Sequence, residues 1–173
     1  MQPANFRDVG EALSLWREPS PIPSGRLLRG GKFDPLSTLD DLGRPATILN
    51  LRRGPDPTHL GVRVVHVPAA DEVENYDTSQ RRVREWVMIA LDVLADPATV
   101  WPVYVHCTSG RDRTGVVVAA ALTAAGLPRQ LVADEYMLSQ GARRDAIELA
   151  LDGLTSYAFL GSPSLRAALG CVG

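Results

Sequence analysis

Ten consecutive residues, His106-Cys107-Thr108-Ser109-Gly110-Arg111-Asp112-Arg113-Thr114-Gly115, constrain this chain more than any other stretch. An apolar, β-prone run from Val100 to Val105 precedes them, and an Ala- and Val-rich run from Val116 to Ala125 follows, closed by Gly126 and Pro128. That order predicts a strand, a tight loop and a helix from Thr114 to Ala125. A helix N-terminus leaves N–H groups unpaired and carries partial positive charge, so the loop is an anion site by construction. Arg113 adds a planar fork that matches phosphate and stays charged. The amides of residues 108 to 113 can curl into a nest around the remaining oxygens. Cys107 at its base supplies a nucleophile whose reactive form is the thiolate, which the nest, Thr114 and Arg113 favour. The chemistry that follows is attack of sulfur on phosphorus, a phosphocysteine intermediate, and its hydrolysis.

The pattern His-Cys, five residues, Arg, then Thr resembles the signature of the cysteine-dependent protein tyrosine phosphatase superfamily. The resemblance implies that His106 supports the loop from behind. It also implies a general acid on a loop after an earlier strand. Asp71, in His66-Val67-Pro68-Ala69-Ala70-Asp71, occupies that position. Asp77, Glu72 and Glu74 compete for the role, and Asp112 inside the loop is a second candidate, though it also suits the task of orienting a neighbouring Arg. Thr108, Ser109, Gly110 and Arg111 are the expected substrate-binding residues. Further likeness lies in Asn5-Phe6-Arg7-Asp8-Val9, in Gly25-Arg26-Leu27-Leu28-Arg29-Gly30, and in Ala133 to Ser139. These segments resemble a microbial tyrosine and dual-specificity group of the mycobacterial tyrosine phosphatase B type. Arg7 and Asp8 are expected to form a structural ion pair. Asn50-Leu51-Arg52 departs from the group's Asp-Leu-Arg, which removes a carboxylate.

The 173 residues suffice for one domain with a real core, and residues 1–173 are expected to form a single phosphatase domain. Apolar content of 45% with a formal charge of −2 fits a globular domain and does not point to nucleic acid. Cys107 and Cys171 make no disulfide framework, and a working thiolate fits a reducing compartment. The N-terminus shows no leader pattern and no apolar run approaches a membrane span, so the expected location is cytoplasmic. Neither a metal nor a cofactor is expected.

Short strands are predicted over 46–51 and 62–67, and a small helix from Asp34-Pro35 to Leu42. A helix from Gln80 to Ala95, capped by Thr78 or Ser79, carries an apolar stripe of Val83, Trp86, Val87, Ala90 and Leu94. Further helices are predicted from Pro128 to Gln140 and over 142–153, with a last helical turn after Gly161-Ser162-Pro163. His59 is expected to be exposed in a turn. Strands alternating with helices imply one α/β domain with a mainly parallel sheet, helices on both faces, and the loop at a strand's C-terminal end. The expected activity is hydrolysis of phosphotyrosine and other phosphomonoesters. Phosphoinositides are a secondary class, for which Arg111 would hold another phosphate. The competing functions are a phosphate-binding module without turnover, a sulfurtransferase, which would lack the Arg-Thr-Gly frame, and an arsenate reductase, which would need partner cysteines.

Overall fold

A computed structural model describes residues 1–157 and 160–172. Among these, five strands form one sheet in the order β1-β2-β5-β3-β4: Arg7–Asp8, Leu27–Gly30, Val103–His106, Thr47–Asn50 and Arg63–His66. β2, β5, β3 and β4 run parallel, and the two-residue β1 is an antiparallel edge. The residues of β5 are all buried, flanked by β2 and β3 on either side. Its valines and tyrosine suit a strand enclosed on both faces. The edge strand β4 is largely exposed.

Side-chain alternation on the strands divides the core in two. Leu27, Leu49, Val103 and Val105 face the larger cluster, which holds the apolar faces of the helices. Leu28, Ile48 and Tyr104 face a small cluster with Phe33 and Leu42. The sheet is mainly parallel and flanked by helices, as expected, but its layering is lopsided. The helices α1 (Val9–Leu13), α2 (Arg81–Ala95), α3 (Asp112–Ala124), α4 (Arg129–Met137), α5 (Arg144–Leu154) and α6 (Pro163–Leu169) all contribute to the larger cluster. The second face is covered by loops and a single 3₁₀ turn, Asp40–Leu42.

That turn replaces the helix predicted from Asp34. Asp34 Oδ1 accepts from Leu36 N at 2.8 Å, and Thr38 and Asp41 bond reciprocally. Short polar side chains here take the backbone groups a helix needs. Gly43 then ends the turn at φ 74°. The predicted caps of α2 also fail: its N-cap is Gln80, without a side-chain bond, because Thr78 Oγ1 donates to Ala150 O at 2.6 Å and Ser79 Oγ to Asp77 Oδ1. The stripe of α2 is buried as predicted, with Leu91 added. α4 stops at Met137, three residues short of the predicted end. The tail after Thr155 forms a fuller helix than predicted, α6, capped by Ser162; residues 158 and 159 of that stretch lie outside the described residues.

α3 is the hub of the helical layer. Arg113 to Leu122 are buried without interruption, so its small residues let neighbouring helices approach on several sides. A Cβ on Gly115 would lie 2.7 Å from the Tyr136 ring, so only glycine admits α4 there. No helix among the described residues is long and apolar enough to cross a membrane.

Candidate active site

The loop from Cys107 to Arg111 joins the C-terminal end of β5 to the first turn of α3. Its carbonyls are held one after another from outside. Cys107 O faces His106 Nδ1 at 3.2 Å, and Thr108 O accepts from Lys32 N at 3.0 Å. Ser109 O accepts from Asn5 Nδ2 at 2.8 Å, and Gly110 O from Arg29 Nη2 at 3.1 Å. In a trans peptide the carbonyl and the following N–H point in opposite directions. Anchoring four carbonyls outward therefore turns the amides of residues 108 to 111 inward. Those four N–H groups have no protein acceptor among the described residues. Together with the free N–H groups of the first helical turn they form the nest that the sequence predicts.

Gly110 is what lets the loop curl. It sits at φ 72°, and a Cβ there would lie 2.3 Å from Gly30 C. Either condition alone selects glycine.

Cys107 is buried at the base of the loop. Arg113, from the first turn of α3, is 3% exposed. Its Nη1 donates to Ala69 O at 3.0 Å and its Nη2 to Thr108 Oγ1 at 3.1 Å. Arg113 Nε and Thr114 Oγ1 are buried with no hydrogen-bond partner among the described residues. The fork thus keeps a donor in reserve on a guanidinium that nearby groups already hold in place.

His106 is wholly buried, with Tyr104 stacked at 5.5 Å and Phe33 edge-on at 5.6 Å between ring centres. A carbonyl only accepts, so Nδ1 carries hydrogen toward Cys107 O. The other nitrogen, Nε2, meets Asp56 Oδ2 at 2.8 Å. Asp56 also faces Arg52 Nη1 at 3.6 Å. The sequence around Asp56, Arg53-Gly54-Pro55-Asp56-Pro57, is that of an ordinary turn, and nothing local in it marks the carboxylate for burial. Asn50 uses its amide to brace that turn, accepting from Arg52 N and donating to Gly54 O. His59 is exposed, as expected, and its Nε2 lies 2.7 Å from Ser37 O.

A second buried cluster lies behind Gly110. Glu135 is 1% exposed and takes Arg7 Nε at 2.7 Å and Arg29 Nη1 at 2.6 Å. The predicted Arg7–Asp8 pair does not form. Asp8 instead caps α1 through Glu11 N, because it precedes a helix start, while Arg7 points to Glu135. Burial lowers Arg29 to about 10, with Glu135 acting in the opposite direction. Glu135 could have been found from its helix: it falls among the buried residues Leu131, Val132 and Tyr136, on a face where a lone carboxylate demands a partner.

The two candidate acids differ sharply. Asp71 has its side chain 69% exposed and meets Arg113 Nη2 at 3.6 Å. Asp112 accepts from Tyr76 Oη at 2.6 Å and from Arg111 at 3.0 and 2.9 Å. Burial works against its charge, yet the bonds from Arg111 and Tyr76 outweigh it and hold the carboxyl below the ordinary range. Asp77 is tied up by Ser79 and Gln80, and Glu72 by Arg82. Arg111 pairs with Asp112, which fits the reading of Asp112 as a group that orients a neighbouring Arg. A cleft of about 360 Å³ opens beside the loop, lined by Asp71, Val73, Tyr76, Arg111, Asp112 and Arg143 among others. Among the described residues no group of three or more His, Cys, Asp or Glu side chains is arranged to hold a metal ion.

A nest of inward amides over a buried cysteine, closed by an arginine at the start of a buried helix, is an anion site built around a nucleophile, the arrangement expected of a cysteine-dependent phosphatase. A model of the tyrosine phosphatase family matches residues 2–158, and the chain belongs to that family. Among characterised proteins it is similar to the triple specificity protein phosphatase PtpB of Mycobacterium tuberculosis, with 50% identity over 38 residues. That stretch is 22% of this chain and 14% of PtpB. Its fold is similar to that of the core catalytic domain of the PP-IP phosphatase SIW14 from S. cerevisiae. The TM-score is 0.64 at 18% identity, covering 97% of this chain and 93% of that one.

Proposed function

We propose that residues 1–173 form one phosphatase domain that hydrolyses phosphotyrosine and other phosphomonoesters through a phosphocysteine intermediate. The observation that carries this is the set of four outward-anchored carbonyls with four free amides opposite them. Such a ring has no structural purpose of its own and matches the oxygens of a bound phosphoryl group. Cys107 attacks phosphorus from beneath while the amides and Arg113 take up the charge on the equatorial oxygens. Asp71 protonates the leaving oxygen as it departs. It is exposed toward the cleft and lies beside Arg113, whereas both oxygens of Asp112 are occupied by donors. Water then attacks the phosphocysteine, returning a proton to the Asp71 carboxylate as the P–S bond breaks, and the Thr114 hydroxyl, unpartnered among the described residues, donates to the departing sulfur.

PtpB is named for triple specificity and SIW14 for PP-IP substrates. For this chain the commitment of Arg111 to Asp112 ranks phosphotyrosine first and multiply phosphorylated head groups second. A thiolate enzyme of this kind suits the reducing environment of the cytoplasm. The test is turnover of p-nitrophenyl phosphate and a phosphotyrosine peptide with a chelator present. The expected result is hydrolysis by the wild type and none by Cys107→Ser, which keeps the nest but not the nucleophile. A serine variant retaining a tenth of the rate, or a wild type inactive on both esters, would overturn the assignment.

A further inference from the structure

Building on the reading that Asp71 is the proton donor, we propose that Tyr76 and Asp112 form a latch that holds the Asp71 loop over the phosphate site. Asp112 is then a positioning residue and supplies no proton. The loop between β4 and α2 is tied to the phosphate loop at two points, one on each side of Asp71. Before it, Ala69 O accepts from Arg113 Nη1 at 3.0 Å. After it, Tyr76 Oη donates to Asp112 Oδ1 at 2.6 Å. The two anchors are adjacent residues at the start of α3, so both ends of the loop refer to one rigid frame. Asn75 Nδ2 braces the loop internally on Ala70 O at 2.6 Å, and Trp86 Nε1 holds its root at Val67 O.

The direction of the hydroxyl chain is set by proton count. Tyr76 spends its one proton on Asp112, so in the 2.7 Å contact with Tyr136 the latter donates. Tyr136 O–H, Tyr76 O–H and the carboxylate therefore run in series, each bond polarising the next. Tyr76 is 4% and Tyr136 1% exposed, so water does not compete for these bonds. Arg111 donates to both oxygens of Asp112 and Arg113 lies on the same helical turn. A proton on Asp112 would remove the charge that strengthens all three of these bonds. Asp71, with only Arg113 at 3.6 Å among the described residues, has no such obstacle.

The experiment compares phenyl phosphate, whose leaving group needs a proton, with p-nitrophenyl phosphate, whose leaving group hardly does. For Tyr76→Phe, kcat on phenyl phosphate should fall about tenfold or more, the loss on p-nitrophenyl phosphate should stay within about threefold, and the basic limb of the pH–rate profile should flatten. Asp112→Asn keeps an acceptor for Tyr76 and should preserve the wild-type ratio of the two rates, while Asp112→Ala should reproduce Tyr76→Phe. An unchanged ratio in Tyr76→Phe overturns the latch. Loss of both the ratio and the basic limb in Asp112→Asn makes Asp112 the proton donor and overturns it equally. Hydrogen exchange over residues 68–77 tests the latch without turnover: Tyr76→Phe should speed it about tenfold there and leave α3 protected. Unchanged exchange refutes the latch whatever the kinetics. A wild type inactive on both esters would remove the phosphatase reading, and the positioning role with it, while exchange still reports on the latch.

Discussion

Replacing Glu135 by alanine tests whether a buried ion cluster sets the phosphate loop. The carboxylate has both of its oxygens on arginines, Arg7 Nε and Arg29 Nη1. Arg29 is fully buried, and its Nε already lacks a partner among the described residues. Removing Glu135 leaves that guanidinium with its bond to Gly110 O and a long contact to Ser139 Oγ at 3.5 Å. Breaking one side of a buried pair costs about 3–5 kcal/mol, because a charge is left uncompensated. Domain stabilities run at about 5–15 kcal/mol, so the variant should fold but with a large part of its margin gone. With a urea slope of about 2 kcal/mol/M, the unfolding midpoint should fall by about 1.5–2.5 M, followed by tryptophan fluorescence. Turnover should drop as well, at urea concentrations where the variant is folded, because Arg29 loses the carboxylate that fixes its guanidinium and so holds the Gly110 carbonyl less firmly. The double variant Arg29→Met/Glu135→Leu separates the two effects: it should regain part of the stability and none of the activity. A midpoint within about 0.5 M of wild type for Glu135→Ala would amount to about 1 kcal/mol at that slope, well short of the expected loss, and would refute the argument.

Asp71→Asn should lower kcat by about 10²–10⁴ on poor leaving groups and remove the basic limb of the pH–rate profile; an unaltered profile would exclude Asp71 as the acid. Gly110→Ala should destabilise by about 2–5 kcal/mol, from left-handed strain plus overlap with the Gly30 backbone, and should abolish phosphate binding measured by calorimetry. The carboxyl of Asp112 is held below its unfolded value, so its stabilising contribution is present above about pH 4 and is lost as pH falls through the folded value. The stability gap between wild type and Asp112→Ala should therefore narrow below about pH 4 in urea titrations; a gap that widened there would reverse the sign of the argument.

The geometry of the candidate site was legible in the sequence because it is local. Cys107, Arg113, Thr114 and the amides between them lie within one strand-loop-helix unit, and their spacing alone brings a thiol, a guanidinium and a helix N-terminus together. The parallel sheet was legible from the alternation of strands and helices along the chain, and the buried stripe of α2 from its 3.6-residue period. Tertiary structure decided what surrounds that unit. Asn5, Arg29 and Lys32 hold three of the loop carbonyls, yet each is more than 70 residues away in the chain. Asp56 and Glu135 read as a turn residue and a helix residue until folding buries them against His106 and Arg29. Alternation along β5 likewise separates Val105 from His106 but cannot say which face the helices will cover. The surroundings of Asp71 and Asp112 are of the same kind. Both are acidic residues in acceptable positions, and only the placement of Tyr76 and Arg111 leaves one of them exposed beside Arg113 and the other surrounded by donors.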